Sequence, residues 1–467
     1  MKRQFSCLNQ KVGSAPTREW LKKARILILG LGRAGMSCAK FLLSIGAEVR
    51  GYDESGEVQN SKAVRELVRQ GLILTERPLA VKPDMVVVSP GIGEDNRLVH
   101  ALREEGVVLV DELDLASQLL AGAVIGVTGT NGKSTTTALI AKMLETSGKR
   151  VFCGGNLAPG RPLSDALMMQ PKDYYVVEVS SFQLERARWF APRGAVILNI
   201  TADHLNRHRS IKEYAECKLR ILDRQQKEDF AVLNALDPRL FAARRRGLAQ
   251  KVFFTTKGPV CPGAYLARDE FWWSPEPGVR ERVARRDILQ LRGRHNIENC
   301  LAAICAARLF GVTPPAIRKA LRGFRGLEHR LELVRVLNGV EYINNSMCTN
   351  PASGIRSLEA FDRPVILIAG GREKNLPIRD YVRAMVRRAK WVLLLGENRQ
   401  RLAGLLAAAG YHRFELCSGM RDAVERAKDR ARPGDVVLFS PGFASFDQFR
   451  DFQERGRAFK DAVRKLS

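Results

Sequence analysis

The sequence predicts an α/β protein of three domains, each built on a mainly parallel sheet. Three observations carry that prediction. Short, almost wholly apolar runs such as Ala24–Gly30 (ARILILG) have the pattern of strands buried on both faces. These runs alternate with segments whose apolar residues recur at helical spacing. The alternation restarts near residue 120 and again near Gly326, in a chain of 467 residues that is too long for one core.

The first expected domain spans residues 1–119. After ARILILG, the segment GLGRAGMSCAKFLLSIG has helical periodicity, and AEVRGYD is the next strand, ending at Asp53. That is a β-α-β unit of the doubly wound, Rossmann-like kind, and DMVVVSPG (Asp84–Gly91) continues it. The second domain, 120–325, opens with AVIGVTGTNGKSTTTALIAKMLETSG, and YYVVEVS, GAVILNI and FAVLNA extend a parallel sheet. KVFFTT, GAYLA and EFWWSP are short, alternating and separated by Gly and Pro, so an antiparallel edge is expected over 251–285. The helical stretch HNIENCLAAICAARLFG and a helix begun by Pro314-Pro315 close the domain. In the third, 326–467, VEYINNS, PVILIAGG, WVLLLG and DVVLFSPG alternate with helical segments, again Rossmann-like.

Composition excludes several classes. With 45% hydrophobic and 27% charged residues the chain is globular. It has no apolar run of membrane-spanning length, and the basic opening MKRQFSCLNQKVGS lacks the apolar core of a secretion signal. Nine cysteines, scattered from Cys7 to Cys417 without a C-x-x-C, read as thiols of a reducing cytoplasm. The formal net charge is +26, and clusters such as Arg244-Arg245-Arg246 have the sign to attract nucleic acid or an anionic membrane surface. No nucleic-acid motif accompanies them, so no nucleic-acid partner is expected.

The motif with the most chemistry is Gly126-Val-Thr-Gly-Thr-Asn-Gly-Lys133-Ser134, between a strand and a helix. Its small residues let backbone N–H groups turn toward phosphates, and the helix N-terminus adds positive potential. Lys133 is placed to contact the outer phosphates and Ser134 to hold Mg²⁺ through its hydroxyl. The spacing is G-x-x-G-T-x-G-K-S, with Val127 where the strict motif has its first glycine. The earlier G-x-G-x-x-G at Gly30, Gly32 and Gly35 is less specific. It suits a dinucleotide, any nucleotide diphosphate at a tight turn, or close helix–strand packing.

The loop GTNGKST resembles that of the Mur ligase family, the amino-acid-adding enzymes of peptidoglycan synthesis. GGNLAPGRPL, VVEVSSFQLE, ILNITADHLNRH, YAECKLRIL, GRHNIENCLAA, GLEHRLELV and SPGFASFDQFRDFQERGRAF match in the family's order, from about Gly30 to Phe459. SSFQLE and ASFDQF-x-x-F-x-x-RG are similar to the branch that adds D-glutamate to UDP-N-acetylmuramoyl-L-alanine. The resemblance implies an N-terminal UDP-binding domain, a central ATPase and a C-terminal domain that closes over ATP and the amino acid. It further implies a cytoplasmic, ATP-dependent ligase that works as a monomer through an acyl phosphate.

Carried over position by position, the resemblance implies ATP contacts at Gly129, Thr130, Asn131, Gly132, Lys133, Ser134 and Thr135. It adds Asn299 on the adenine side, Arg330 at the phosphates and Asn345 at the ribose. Ser134, Glu178 and His204 match Mg²⁺ ligands, with two ions allowed for, and Lys218 matches a lysine that is carbamylated and organises the second ion. Lys133, Lys218 and His204 are the implied catalytic residues. Gly32, Arg33, Asp53, Asn156, Ser180 and Ser181 fall on the UDP-substrate side, and Thr349, Lys374, Ser445 and Phe452 on that of D-glutamate. Read alone, several have plainer explanations: a solvated helix lysine for Lys218, a loop cap for His204, a core aromatic for Phe452.

One segment departs from the family. Where Asp-Ser-Lys-x-Thr-Asn is usual, this chain has Asn345-Ser346-Met347-Cys348-Thr349-Asn350. Asn345 loses the charge and Met347 the cation, with Arg372 a candidate to compensate. Two other readings follow: a Mur-type ligase for L-glutamate or another amino acid, and an ATP-binding partner subunit without ligase activity of its own. A basic nucleic-acid-binding ATPase is a third class.

Overall fold

The computed structural model describes residues 15–156, 160–201, 203, 207–291, 293–373 and 376–467. The chain divides into two compact units, Met1–Leu289 with Arg294–Phe324, and Gln290–Gly293 with Arg325–Ser467.

The first unit holds two sheets. The N-terminal one comprises β1 (Arg25–Leu29), β2 (Glu48–Tyr52), β3 (Ile73–Leu74), β4 (Met85–Val88) and β5 (Val108–Val110), all parallel, in the order β3-β2-β1-β4-β5. Ile26, Leu27, Ile28 and Leu29 of β1 are buried, which is why this strand carries no alternation. The order reverses between β1 and β4, so a crevice opens at their C-terminal ends, at Gly30–Arg33 and Ser89–Gly91.

The second sheet has nine strands: β6 (Ala123–Thr128), β7 (Val151–Gly155), β8 (Tyr174–Glu178), β9 (Gly194–Ile197), β10 (Phe230–Asn234), β11 (Gln250–Thr255), β12 (Gly263–Ala267), β13 (Glu270–Ser274) and β14 (Glu281–Arg285). Their order is β14-β13-β12-β11-β10-β9-β6-β8-β7. Helices Lys133–Thr146, Arg294–Leu309 and Pro314–Gly323 pack together on one face. The other face is covered by a core that includes Leu184, Phe190, Tyr214, Ile221 and Leu240.

The antiparallel edge is narrower than the sequence pattern predicts. KVFFTT becomes β11, parallel to both β10 and β12, and only β12-β13-β14 run antiparallel. Glycine and proline mark where strands end; they carry no information on strand direction.

The two sheets of this unit meet at a polar seam. The Glu112 carboxylate accepts the Ser164 N–H, Ser164 Oγ lies 2.7 Å from Ser37 Oγ, and Ser37 Oγ donates to Asp165. Asp114 accepts the N–H groups of Arg188 and Trp189, each at 2.8 Å.

The second unit contains β15 (Glu332–Leu337), β16 (Val340–Asn344), β17 (Val365–Ala369), β18 (Ala389–Leu394), β19 (Phe414–Leu416) and β20 (Val436–Phe439), in the order β15-β16-β20-β17-β18-β19. Only β15–β16 is antiparallel. That hairpin turns at Asn338 (φ 50) and Gly339 (φ 75), the positive dihedrals for which Asn-Gly is suited. The loops after β16, β17 and β20 gather at the parallel strands' C-terminal ends. Among the described residues, no helix is long and apolar enough to cross a membrane.

Candidate active site

The turn between β6 and the helix Lys133–Thr146 is shaped by two glycines with positive φ, Gly129 at 141° and Gly132 at 86°. A Cβ on Gly132 would also fall 2.1 Å from Asn299 Oδ1. Asn299, on the helix Arg294–Leu309, therefore lies directly against the loop. The loop is tied to the chain after β9. Thr130 N donates to Asn199 O at 2.9 Å, Asn131 N to Asn199 Oδ1 at 2.8 Å, and Asn199 Nδ2 back to Asn131 O at 3.1 Å. Thr130 Oγ1 donates to Thr201 O (3.1 Å) and accepts from Thr201 N (3.0 Å). Lys133 Nζ spans the turn from inside, 3.0 Å from the carbonyl oxygens of Gly129 and Thr130. Thr135 is buried in the helix's first turn.

Strand register brings an acid to this loop. Glu178, the last residue of β8, pairs with Val127 of β6 and Gly155 of β7. Its side chain is 4% exposed; Oε2 accepts from Ser134 Oγ at 2.6 Å, and Oε1 faces Asn156 Nδ2 at 3.4 Å. Lys218, at 1% exposure, places Nζ 3.5 Å from Thr128 Oγ1 and 4.7 Å from the centre of the Tyr214 ring. Burial first, and the Lys133 ammonium next, bring the Lys218 amine down to about 7, and burial pushes the Tyr214 phenol up to about 12. The solvated-lysine reading of Lys218 is thus excluded by its position.

Ser180 caps the helix Ser181–Glu185 in a reciprocal capping box with Gln183, and Ser181 Oγ lies 3.0 Å from His208 Nε2. His204, expected here as a ligand, lies outside the described residues. Oxygen donors on Ser134 and Glu178, converging at a phosphate-type loop, fit a hard divalent cation such as Mg²⁺.

In the N-terminal sheet the three glycines divide by cause. Gly30 needs its positive φ of 93°, and Gly35 lets its helix approach β1, since a Cβ there would meet Gly30 O at 2.0 Å. Gly32 has neither constraint: its nearest protein atom would be Ser89 Oγ at 4.0 Å, which leaves the helix N-terminus open. Asp53 stabilises the turn itself, accepting from Leu31 N at 2.7 Å and Ser55 N at 2.9 Å. Arg33 donates to Gly160 O at 3.2 Å.

In the second unit, Thr349 lines a hollow together with Pro351, Arg372, Glu373, Leu376 and Phe443. Ser445 is buried in the next turn, and Ala444 pairs with Arg372 across an isolated bridge. Arg372 thus stands beside Thr349, while Lys374 lies outside the described residues. Phe452 begins the helix Phe452–Arg464, its carbonyl accepting from Ser346 Oγ at 2.7 Å and its ring edge-on to His329 at 6.1 Å. Arg330 follows His329, half-buried on the loop before β15.

Asn345 is committed inside the domain. Its Oδ1 accepts Leu331 N at 3.2 Å, which directs Nδ2 toward Ser357 Oγ (2.7 Å) and Ser440 Oγ (3.2 Å). Ser357 Oγ already donates to Ser353 O at 2.7 Å, so it must accept from Asn345. Sequence reasoning missed this role of Asn345, and it singled out Arg455 only as the arginine of ASFDQF-x-x-F-x-x-RG, with no role attached. That guanidinium is 1% exposed and donates to Ser346 O (2.9 Å), Ser346 Oγ (3.2 Å) and the carbonyls of Phe443 and Ala444 (3.0 Å each). It ties the Asn345–Thr349 loop to the Ser440–Ser445 loop.

Family models match in three successive stretches. These are a Mur ligase MurD-like N-terminal domain over residues 24–111, a Mur ligase middle domain over 127–307, and a Mur ligase glutamate ligase domain over 329–443. The chain is 40% identical over 450 residues to the UDP-N-acetylmuramoylalanine–D-glutamate ligase of Pelotomaculum thermopropionicum, covering 95% of this chain and 98% of that protein. It is likewise 40% identical to the enzyme of that name from Myxococcus xanthus, over 96% of this chain and 99% of the other. Among solved structures, the MurF ligase of Thermotoga maritima in complex with ADP superposes with a TM-score of 0.57 at 17% identity, covering 97% of each chain. UDP-N-acetylmuramate–alanine ligase of the same organism gives 0.57 at 21% identity, covering 94% of this chain and 99% of the other.

Proposed function

This chain belongs to the Mur ligase family, and on that premise we propose that it joins D-glutamate to UDP-N-acetylmuramoyl-L-alanine at the expense of ATP, as a cytoplasmic monomer. The observation that carries the proposal is near-full-length identity of 35–40% to relatives that bear the D-glutamate ligase name. The convergence of Ser134, Glu178 and Lys218 on the glycine loop supports the chemistry.

In the proposed reaction, a carboxylate oxygen of the alanyl group takes the γ-phosphoryl group of ATP, releasing ADP and forming an acyl phosphate. The amine of D-glutamate attacks the acyl carbon, the bond to the phosphate oxygen breaks, and phosphate and a proton leave. Phosphoryl transfer of this kind depends on positioning and charge stabilisation. The N–H groups of Gly132, Lys133 and Ser134 at the helix N-terminus and the Lys133 ammonium are suited to hold the phosphates, and Asn299 to hold the nucleoside side. Ser134 and Glu178, with His204 by resemblance, would hold Mg²⁺, which supplies charge neutralisation on the phosphoryl oxygens. Lys218, amine-neutral in part near pH 7, is the residue proposed to be carbamylated. Asn156, Ser180 and Ser181 would face the muramoyl-alanine end, with Gly32, Arg33 and the Asp53-braced turn on the UDP side. For D-glutamate, Thr349, Arg372, Ser445 and Phe452, with Lys374 by resemblance, offer the hydroxyl and cationic groups that two carboxylates require.

The test is phosphate release from ATP and UDP-N-acetylmuramoyl-L-alanine with one amino acid at a time. D-glutamate is expected to support turnover; release with L-glutamate or another amino acid in its place would overturn the substrate assignment.

A further inference from the structure

The arginine cluster singled out in the sequence is not used by the ligase site, and the structure divides it. Arg246 is neutralised internally, with Glu216 and Asp223 each 2.6 Å away. Arg244 and Arg245 lie on the surface of the short 3₁₀ turn Ala243–Arg245, and Arg239 on the helix Pro238–Ala242 before it. Among the described residues none of these three has a carboxylate partner. The single acid nearby in the sequence, Asp237, is taken up by the N–H groups of Arg239 (2.9 Å) and Ile200 (2.8 Å).

The same segment exposes apolar side chains that a solvated face has no reason to carry. Leu248 is 67% exposed, Phe241 44% and Leu236 37%. Arg244 stacks over the Phe241 ring at 4.3 Å and donates to the Phe241 carbonyl, so cation and aromatic form one surface. A nucleic acid would use the charge, with little use for an exposed leucine. The outer layer of an anionic bilayer uses both, the arginines at the headgroups and the apolar side chains at the acyl boundary.

We propose that Arg239, Phe241, Arg244, Arg245 and Leu248 form a docking surface for anionic phospholipid, by which the protein binds peripherally to a membrane. The surface adjoins the ligase machinery through Asp237, whose carboxylate holds the chain at Ile200, next to the loop partner Thr201.

The experiment is sedimentation of the full chain with phosphatidylcholine vesicles, with and without phosphatidylglycerol, at low and physiological salt. Binding is expected only to the anionic vesicles. Arg244→Gln with Arg245→Gln should lower partitioning about 25-fold, about fivefold per arginine near an anionic surface. Arg387→Gln with Arg388→Gln, on the exposed face of the helix Arg379–Arg388, should leave it unchanged. Leu248→Ser, a surface change that spares the fold, should weaken vesicle binding and leave duplex DNA binding as it was. All these variants should keep ligase turnover. An equal loss from the Arg387 and Arg388 pair would mean diffuse attraction by net charge and overturn the proposal. Salt-sensitive DNA binding, with vesicle binding indifferent to Leu248→Ser, would assign the surface to nucleic acid instead.

Discussion

Restoring the family's aspartate by Asn345→Asp should weaken the C-terminal domain. Asn345 is 6% exposed and its Nδ2 donates two hydrogen bonds, to Ser357 and Ser440. A carboxylate oxygen in that place can donate neither. Ser357 could turn to donate, but only by leaving Ser353 O. Two or three hydrogen bonds at about 1 kcal/mol each give a loss of about 2–3 kcal/mol, before any charge is desolvated. Burial also raises the new carboxyl above its unfolded value, so the penalty from its charge is absent at low pH and grows as pH rises through the range between the two. The assay is hydrogen exchange resolved by peptide, at pH 5 and pH 8. Peptides of β16, β17 and β20 should exchange about 30- to 150-fold faster at pH 8, the factor that 2–3 kcal/mol implies, with a smaller change at pH 5. Peptides of the first unit should be unaffected. Unchanged or slower exchange at pH 8 would refute the view that Asn345 is a structural donor.

Three further predictions follow from the first unit. Lys133→Ala should abolish turnover by removing the loop's cation, and its melting temperature should stay near that of the parent because the side chain bonds to the carbonyls of its own turn and is no part of the apolar core. Lys218→Ala should cut activity without rescue by bicarbonate, and labelled bicarbonate should give a carbamate carbon signal with the parent protein but not with this variant; normal rates would remove the assignment. Held at about 7 instead of 4.5 by burial, the Glu112 carboxyl costs the fold on the order of 3 kcal/mol once ionised. That cost sets in above pH 4.5 and is complete above about 7, so Glu112→Gln should raise the urea midpoint at pH 8 and leave it unchanged at pH 4.

The phosphate loop was legible because its constraint is local. Gly129 and Gly132 need positive φ within one turn, and Lys133 and Ser134 follow directly. The buried runs of β1, β4, β6, β8 and β20 were legible for the same reason, since burial on both faces shows in four or five consecutive residues. β3, β5, β7, β14, β15 and β19 were not anticipated: β3 has two exposed residues, and β15 alternates between half-buried and exposed with no apolar period. Contacts between distant segments were not legible, although ILNITADHLNRH and ASFDQF-x-x-F-x-x-RG had marked two of the residues that make them. Asn199 meets Asn131 across 68 positions, and Arg455 meets Ser346 across 109. Glu112 in the polar seam likewise reads as a surface acid until Ser164, 52 positions away, covers it.

The departure at Asn345 bears on function through the same accounting of partners. Ser134 Oγ and Glu178 Oε2 are buried and meet each other at the loop, each with an oxygen suited to a divalent cation. Asn345 is committed to protein partners, because its oxygen takes a backbone N–H and its amide feeds two hydroxyls. Loss of the aspartate's charge there therefore changes how one domain is held together before it changes any contact with a substrate. Met347 fits this view in that its backbone N–H is used by His329 O at 3.1 Å. Arg372 lines the neighbouring hollow together with Thr349 and is joined to Ala444. On these grounds we propose that the altered motif is a rearrangement within a working ligase, with Arg372 on the loop after β17 the candidate to supply the cation that the loop after β16 lacks.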